Sequence, residues 1–451
     1  MKILVGCGVI TVDEARTVHP RAAIAIDGDR IAAIGPEGDL RQRYPDAEQI
    51  DAAGRVAFPG FVNLHTHTVL TILRGRSEDL GGASLYGQMY PMKQLLTSDD
   101  RYALGMLGCL EALRGGTTCL VENYEGATDV VPAIEQLGLR AVVSEIVNDA
   151  VMVEIRRGRY EFSTAQAERQ LQASLDLVER WHGAQQGRIS CQLSAHAPDT
   201  CSRGLLEQLR DLAAARDLGL HVHLAQTAEE VAQVEQREGM RSAEFLASAG
   251  FLGPRTVAAH CIHLQPHEVQ LVGRSRTNVA HNAVINAKRG KAAPVMALQA
   301  AGATIGLGSD NMWEDMVEVA RTALMVNRVR EANGTRPSSH DVLEWLTIGG
   351  ARALGLDDEI GSLEAGKKAD IVLVDVRKPH LAPLFDPVAS FIHAGLSSDV
   401  DMVFVDGRLV VRDGVVLTAD TQEVIRNAQR QAGEFWQRFE RAYGSFVMPA
   451  S

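Results

Sequence analysis

The chain has 451 residues, 46% of them apolar and 23% charged, a composition that leaves room for a sizeable core in two or three domains, or in one large barrel with an accessory domain. Its net charge of −12 excludes the basic surface that nucleic acids and anionic membranes require. The six cysteines (Cys7, Cys109, Cys119, Cys191, Cys201 and Cys261) form no C-x-x-C pair and lie mostly inside apolar runs, where a thiol behaves as a small core residue; a reducing compartment without structural disulfides is expected. The N-terminus MKILVGCGVITVDEA turns polar too early for a signal-peptide core, and no uncharged apolar stretch is long enough to cross a bilayer. A cytoplasmic location is expected.

The first segment alternates in strand fashion, with ILVGCGVITV followed by AAIAIDGDRIAAIG and its Asp27–Gly28 turn, a hairpin signature. The same pattern returns late in the chain, in ADIVLVDV (369–376) and DMVFVDGRLVVRDGVVL (401–417). Two β-rich ends of this kind predict a small β-sandwich closed around a central insertion. That insertion opens on VAFPGFVNLHTHT (56–68), read as a strand presenting His65 and His67 on one face, because side chains alternate along a strand. Seven further short apolar runs follow: TTCLVEN (117–123), RAVVSEIV (140–147), ISCQLSAHA (189–197), GLHVHLAQ (219–226), TVAAHCI (256–262), TNVAHNA (277–283) and TIGLGSD (304–310). Amphipathic stretches separate them, among them 98–116, with a Ser-Asp-Asp start suited to an N-cap and a Gly-Gly stop, 163–183 and 202–219. Strands alternating with helices in this number predict a (β/α)8 TIM barrel; an open doubly wound sheet fits the alternation too, but no G-x-G-x-x-G follows the first strand. The expected domains are 1–56 and 361–418 for the sandwich, 57–360 for the barrel, and 419–451 for a polar C-terminal helix that packs on the barrel or on a partner subunit.

A barrel places its active site at the C-terminal ends of its strands. In this chain those ends carry His65 and His67, then His196, His223, His260 and His281, and finally Asp310. One buried histidine is ordinarily a satisfied core residue. Imidazoles at five strand ends and a carboxylate at a sixth form a metal-binding constellation, since neutral imidazole and carboxylate are the nitrogen and oxygen ligands of divalent cations.

The order PGFVNLHTHT, HVHLAQT, AAHCIHL and GLGSDN, with GSLEAGKKADIVLVD (361–375), resembles the amidohydrolase superfamily over nearly the whole chain. Within it the pattern resembles the branch of N-heterocycle aminohydrolases and triazine hydrolases, which includes S-adenosylhomocysteine deaminases, guanine deaminases and the atrazine chlorohydrolase group. The resemblance implies that His65, His67, His223 and Asp310 ligate one divalent metal ion: zinc from the N/O donor set, with iron(II) or manganese(II) compatible. Such an ion lowers the pKa of a water enough to supply hydroxide near neutral pH. The resemblance further makes Asp310 the proton acceptor and His260 the group that polarises the bond under attack. His196 stands where a two-metal relative would carry a lysine, so one ion is expected and His196 is assigned to substrate. His221 shares a strand face with His223, but the H-x-x-E form selects His223 as the ligand, which leaves His221 a supporting role.

Gln226 departs from the pattern, since relatives that deaminate heterocycles usually carry glutamate there; an amide donates a hydrogen bond but does not exchange a proton at a useful pKa. The expected activity is an aminohydrolase, a hydrolase of carbon–nitrogen bonds other than peptide bonds, acting at an electron-poor carbon of a nitrogen heterocycle. The alternatives are hydrolysis of a C–Cl or cyclic amide or urea bond in the same site, and a weakly active ligand-binding protein. Candidate substrate contacts beside His196 are Tyr86 and Tyr90 in the long segment 74–94, Asn123 and Glu125 after the second barrel strand, and Trp313 after Asp310. Partners are expected to be a small-molecule substrate and further copies of the chain, with no nucleic acid and no membrane.

Overall fold

The computed structural model describes residues 1–78, 90–155 and 159–444. Its central unit is a ring of eight parallel strands: β1 (Phe61–Thr66), β2 (Thr117–Tyr124), β3 (Arg140–Val147), β4 (Leu193–Ala195), β5 (Leu220–Leu224), β6 (Thr256–His260), β7 (Asn278–His281) and β8 (Ile305–Leu307). The run read as one strand over 189–197 divides at Gln192 into Ile189–Cys191, paired with β3, and β4, paired with β3 and β5. The ring closes where β8 meets β1: Asp310 N–H donates to the His65 carbonyl (2.9 Å) and His67 N–H to the Asp310 carbonyl (2.7 Å).

Near-continuous apolar runs suit strands covered on both faces. Outward-facing residues such as Leu120, Val143 and Val222 join the large core shared with the helices. Leu64, Val121, Val142, Val257, Ala259 and Ala280, from five strands, form a separate small cluster that plugs the barrel interior.

The two ends of the chain build one nine-stranded sheet, in which Arg55–Pro59 from the N-terminal part pairs antiparallel with Ile371–Asp375 from the C-terminal part. Leu4, Ile24, Ile371 and Phe404 share one core cluster, so neither end completes the domain alone. The sequence reading of 56–68 as a single strand is corrected here. Its first half belongs to this sheet and its second half is β1, with Gly60 at the step; a Cβ there would stand 2.0 Å from Thr118 Oγ1. His67 lies just past β1 and precedes the 3-10 turn Thr68–Leu73.

The helix expected over 98–116 spans Ser98–Arg114 and stops at Gly115, but its cap is Thr97, which exchanges capping-box hydrogen bonds with Asp100. The C-terminal helix Thr421–Tyr443 buries Phe435, Trp436 and Phe439 against the barrel, and Trp436 Nε1 donates to the Ile72 carbonyl (3.3 Å). Among the described residues, no helix is long and apolar enough to cross a membrane.

Candidate active site

His65, His67, His223 and Asp310 converge at the C-terminal mouth of the barrel, each buried, with one ligand atom apiece lying within 4.8 Å of the others. The two seam hydrogen bonds tie three of them, His65, His67 and Asp310, to one short stretch of paired backbone. β5 supplies the fourth, because His223 sits two residues after His221 on the inward face.

The hydrogen bonds behind the imidazoles fix their tautomers. His67 Nδ1–H donates to the Asn123 carbonyl, and His223 Nδ1–H donates to the His196 carbonyl at 2.6 Å; a carbonyl only accepts, so each Nε2 keeps its lone pair. Those two Nε2 atoms face each other at 3.3 Å, and His67 Nε2 lies 3.4 Å from Asp310 Oδ1. His65 Nε2, 3.3 Å from the same oxygen, and Asp310 Oδ2 are buried without any hydrogen-bond partner. Lone pairs that converge on one point with no proton between them fit a cation and little else, since burial without a partner costs free energy. Three neutral imidazoles and one carboxylate are the donor set of a zinc-type site with an open position. Burial pushes the pKa of His65 and of His67 well below 6.5, and also lowers that of His223, with neighbouring imidazoles adding to the shift at His65 and His67, so the ligands stay neutral.

His221 supports the centre from behind. Its Nε2 lies 2.8 Å from His65 Nδ1, and the Gln192 side-chain amide lies 3.0 Å from its Nδ1. His260 projects from the end of β6 with Nδ1 held by the Asn286 side chain (3.1 Å) and Nε2 4.0 Å from Asp310 Oδ2. Burial pushes its pKa down to about 3. Both His260 (φ 75°) and Asp310 (φ 70°) occupy the left-handed region, where a non-glycine residue is held against its preference by its surroundings, as functional residues often are.

Above the four ligands lies a cavity whose walls include His196, Gln226, Lys93, Tyr124, Asn311 and Leu70. His196 Nδ1 is held by Thr200 Oγ1 at 2.7 Å. Gln226 reaches the cavity because Glu230 accepts from its backbone N–H (2.7 Å) and from that of Ala225 (2.8 Å), fixing the turn after β5.

Of the other expected substrate contacts, Asn123 contributes its carbonyl to His67 while its side-chain oxygen accepts from Ser144 Oγ (3.0 Å). Glu125 stands at the rim, 3.9 Å from Lys93 Nζ. Trp313 packs against the core outside the cavity walls, with Lys288 Nζ over its ring. Tyr90 begins the short helix Tyr90–Leu95, and Tyr86 lies outside the described residues. His281 bonds to Asn327 Nδ2 (3.1 Å) within the core and is not a cavity wall.

Sequence reasoning passed over Lys93, although it is the one lysine in the segment 74–94. Glu314, which follows Trp313 in the loop after Asp310 expected to shape specificity, is instead a buried carboxylate beneath the site. Glu314 accepts from Thr66 Oγ1 (2.8 Å), Asn63 Nδ2 (3.1 Å) and Ser309 Oγ (2.5 Å), and burial pushes its pKa up to about 7.

A TIM barrel with three histidines and an aspartate gathered at its mouth, a group able to hold a metal ion, is an arrangement of metal-dependent hydrolases. The comparisons narrow it. The pattern of the Amidohydrolase family matches residues 56–410, and that of an imidazolonepropionase-like composite domain of bacteria matches 22–47. The 5-methylthioadenosine/S-adenosylhomocysteine deaminase of Desulforudis audaxviator is 38% identical over 415 residues, covering 91% of this chain and 94% of its own. The zinc-bound adenosine deaminase of Xanthomonas campestris superimposes with a TM-score of 0.89 at 29% identity, covering 96% of this chain and 98% of its own. The zinc complex of atrazine chlorohydrolase from Arthrobacter aurescens shares the fold, with a TM-score of 0.87 at 23% identity over 96% of this chain and all (100%) of its own. The chain belongs to the amidohydrolase family.

Proposed function

We propose that the protein is a zinc-dependent aminohydrolase that releases an amine from an electron-poor carbon of a nitrogen heterocycle. The observation that carries this reading is the convergence of His65, His67, His223 and Asp310 with unshared lone pairs on the floor of a cavity. The names of the full-length deaminase relatives support the choice of bond. When bound, the ion supplies a water acidic enough to act as nucleophile near neutral pH.

The side chains divide the remaining work. Asp310 Oδ2, unpartnered, takes the proton from the water and returns it to the departing amine. His260, neutral and with its Nδ1–H taken by the Asn286 side-chain oxygen, presents an Nε2 lone pair beside that oxygen and orients the attacking water. Gln226 donates an amide hydrogen bond to a ring nitrogen and holds the heterocycle in register, and His196 closes the opposite wall. We also assign a cytoplasmic, homo-oligomeric protein. Six buried free cysteines support a reducing compartment.

The test is amine release by zinc-loaded protein over a panel of amino-heterocycles that includes adenosine derivatives, beside chloride release from a chlorinated triazine. Metal-dependent amine release is expected. Restoring a proton-exchanging group through Gln226→Glu is expected to raise kcat for amine loss by roughly 100-fold. Chloride release without amine release overturns the reading in favour of a halide-displacing hydrolase.

A further inference from the structure

We propose that Gln192 is a positioning residue of the ion site: its amide oxygen accepts from His221 Nδ1–H, and this acceptor sets the direction of a chain of hydrogen bonds that leaves His65 Nε2 free of hydrogen. The inference rests on the ion site and not on which bond is hydrolysed there. Gln192 stands at the break between the strand Ile189–Cys191 and β4. Ile189, Cys191, Leu193 and Ala195 all join the core shared with the helices, so by alternation Gln192 points into the barrel. There it is 3% exposed and shares a cavity wall with Val142 and Val257 of the apolar plug. An amide buried among aliphatic side chains costs free energy unless it is hydrogen-bonded.

The hydrogens along the chain can be counted. His65 Nε2 converges on the ion with the other ligand atoms, so the one hydrogen of its neutral ring is on Nδ1. That Nδ1 lies 2.8 Å from His221 Nε2, which must therefore accept. His221 is fully buried and carries one hydrogen, which the acceptor role of Nε2 leaves on Nδ1. The Gln192 amide stands 3.0 Å from that Nδ1 through the atom placed as its nitrogen; amide oxygen and nitrogen share one outline, and the hydrogen-bond pattern decides between them. A nitrogen there donates, reverses each hydrogen along the chain and puts one on His65 Nε2, pointed at the other ligand atoms. An oxygen there is the arrangement that holds an ion.

The surroundings let the amide turn. Turning gives up only a long contact to Ser144 Oγ (3.5 Å), whose own hydrogen goes to Asn123 Oδ1 at 3.0 Å. The other amide atom lies 3.8 Å from where a Cβ on Gly219 would stand, on the wall of a cavity of about 470 Å³ among the N-terminal ends of the barrel strands. An NH2 group facing that cavity has room to donate to solvent. The chain Gln192–His221–His65 therefore runs up the barrel interior from foot to mouth. The orientation of one amide at the foot decides whether a ligand at the mouth has its lone pair.

Two measurements test this. In native protein loaded with zinc and labelled with nitrogen-15 at histidine, the ring signals that disappear in His221→Phe report on His221. They are expected to show Nδ1 protonated and Nε2 bare; the opposite tautomer overturns the proposal without recourse to any Gln192 variant. Competition with a chromophoric chelator then ranks the variants. Gln192→Met keeps the length of the side chain and removes the acceptor, and is expected to weaken metal binding by roughly 10- to 100-fold and to spread His221 over both tautomers. Gln192→Glu, which offers only acceptors when ionised, is expected to bind metal at least as tightly as the native chain. Unchanged affinity in Gln192→Met, or an equal loss in both variants, overturns the positioning role and leaves one of packing. A native chain that takes up no divalent metal overturns the ion site and the proposal together. Metal uptake with the expected tautomer but no amine release overturns the aminohydrolase reading and leaves the proposal standing.

Discussion

At the scale of single residues, the hydrogen bonds behind the ligands matter as much as the ligands. His221 is the partner that leaves His65 Nε2 free for the ion. His221→Phe keeps an aromatic ring and removes both ring nitrogens, and is expected to weaken divalent-metal binding by roughly 10- to 100-fold in competition with a chromophoric chelator. His281 gives a pH effect away from the ion. Burial pushes its pKa down to about 4 from 6.5, so the folded chain keeps it neutral where the unfolded chain would protonate it. The contribution is therefore fully present above pH 6.5 and is lost as pH falls from 6.5 toward 4, at up to about 1.4 kcal/mol per pH unit. His281→Gln is expected to flatten that part of the acid limb in denaturant titrations across this range.

At the scale of elements, the step at Gly60 joins two strands that belong to different sheets. Gly60→Ala places a methyl carbon against Thr118 and is expected to cost about 1–3 kcal/mol, read as a lower midpoint in urea. This step also marks what the sequence could convey. The strands were legible because β2, β3, β5 and β6 are compact apolar runs, and the H-x-H pair because a period of two aims both rings one way. The change of sheet inside 56–68 was not, because both halves are buried on both faces and read as one apolar run; Pro59–Gly60 was its one trace. Thr97 was missed as the cap because its role depends on Asp100 reaching back. Lys93 was illegible for a different reason: only the fold brings the segment after β1 over the end of β2. Glu314 reads in sequence as a residue of the specificity loop after Asp310, and its burial under Thr66 and Ser309 comes from tertiary packing alone.

At the scale of the whole molecule, barrel and terminal sheet are held together by charge as well as by shared strand connections. Arg140 at the start of β3 pairs with Asp370 at 3.0 Å and with Asp406, both next to strands of the nine-stranded sheet, and Arg140 and Asp370 are 7% and 2% exposed at their side chains. Arg140→Met leaves two carboxylates facing each other at a nearly dry boundary. A loss of about 3–5 kcal/mol is expected in equilibrium unfolding, with the cavity residues and zinc content unchanged in whatever fraction remains folded.

The seam between β8 and β1 makes the ion a witness to the closure of the barrel. His65 and His67 emerge early in synthesis, while Asp310 waits for the last barrel strand, and the hydrogen bonds that join Asp310 to both of them are the ones that close the ring. A nascent chain halted before β8 holds at most an incomplete set of ligands, so loading waits for closure of the barrel. Once loaded, the ion stitches the place where the barrel opens. Chelation is expected to speed amide exchange at His67 and Asp310 ahead of amides in the middle of β3, and to shorten the lifetime of the native state in denaturant.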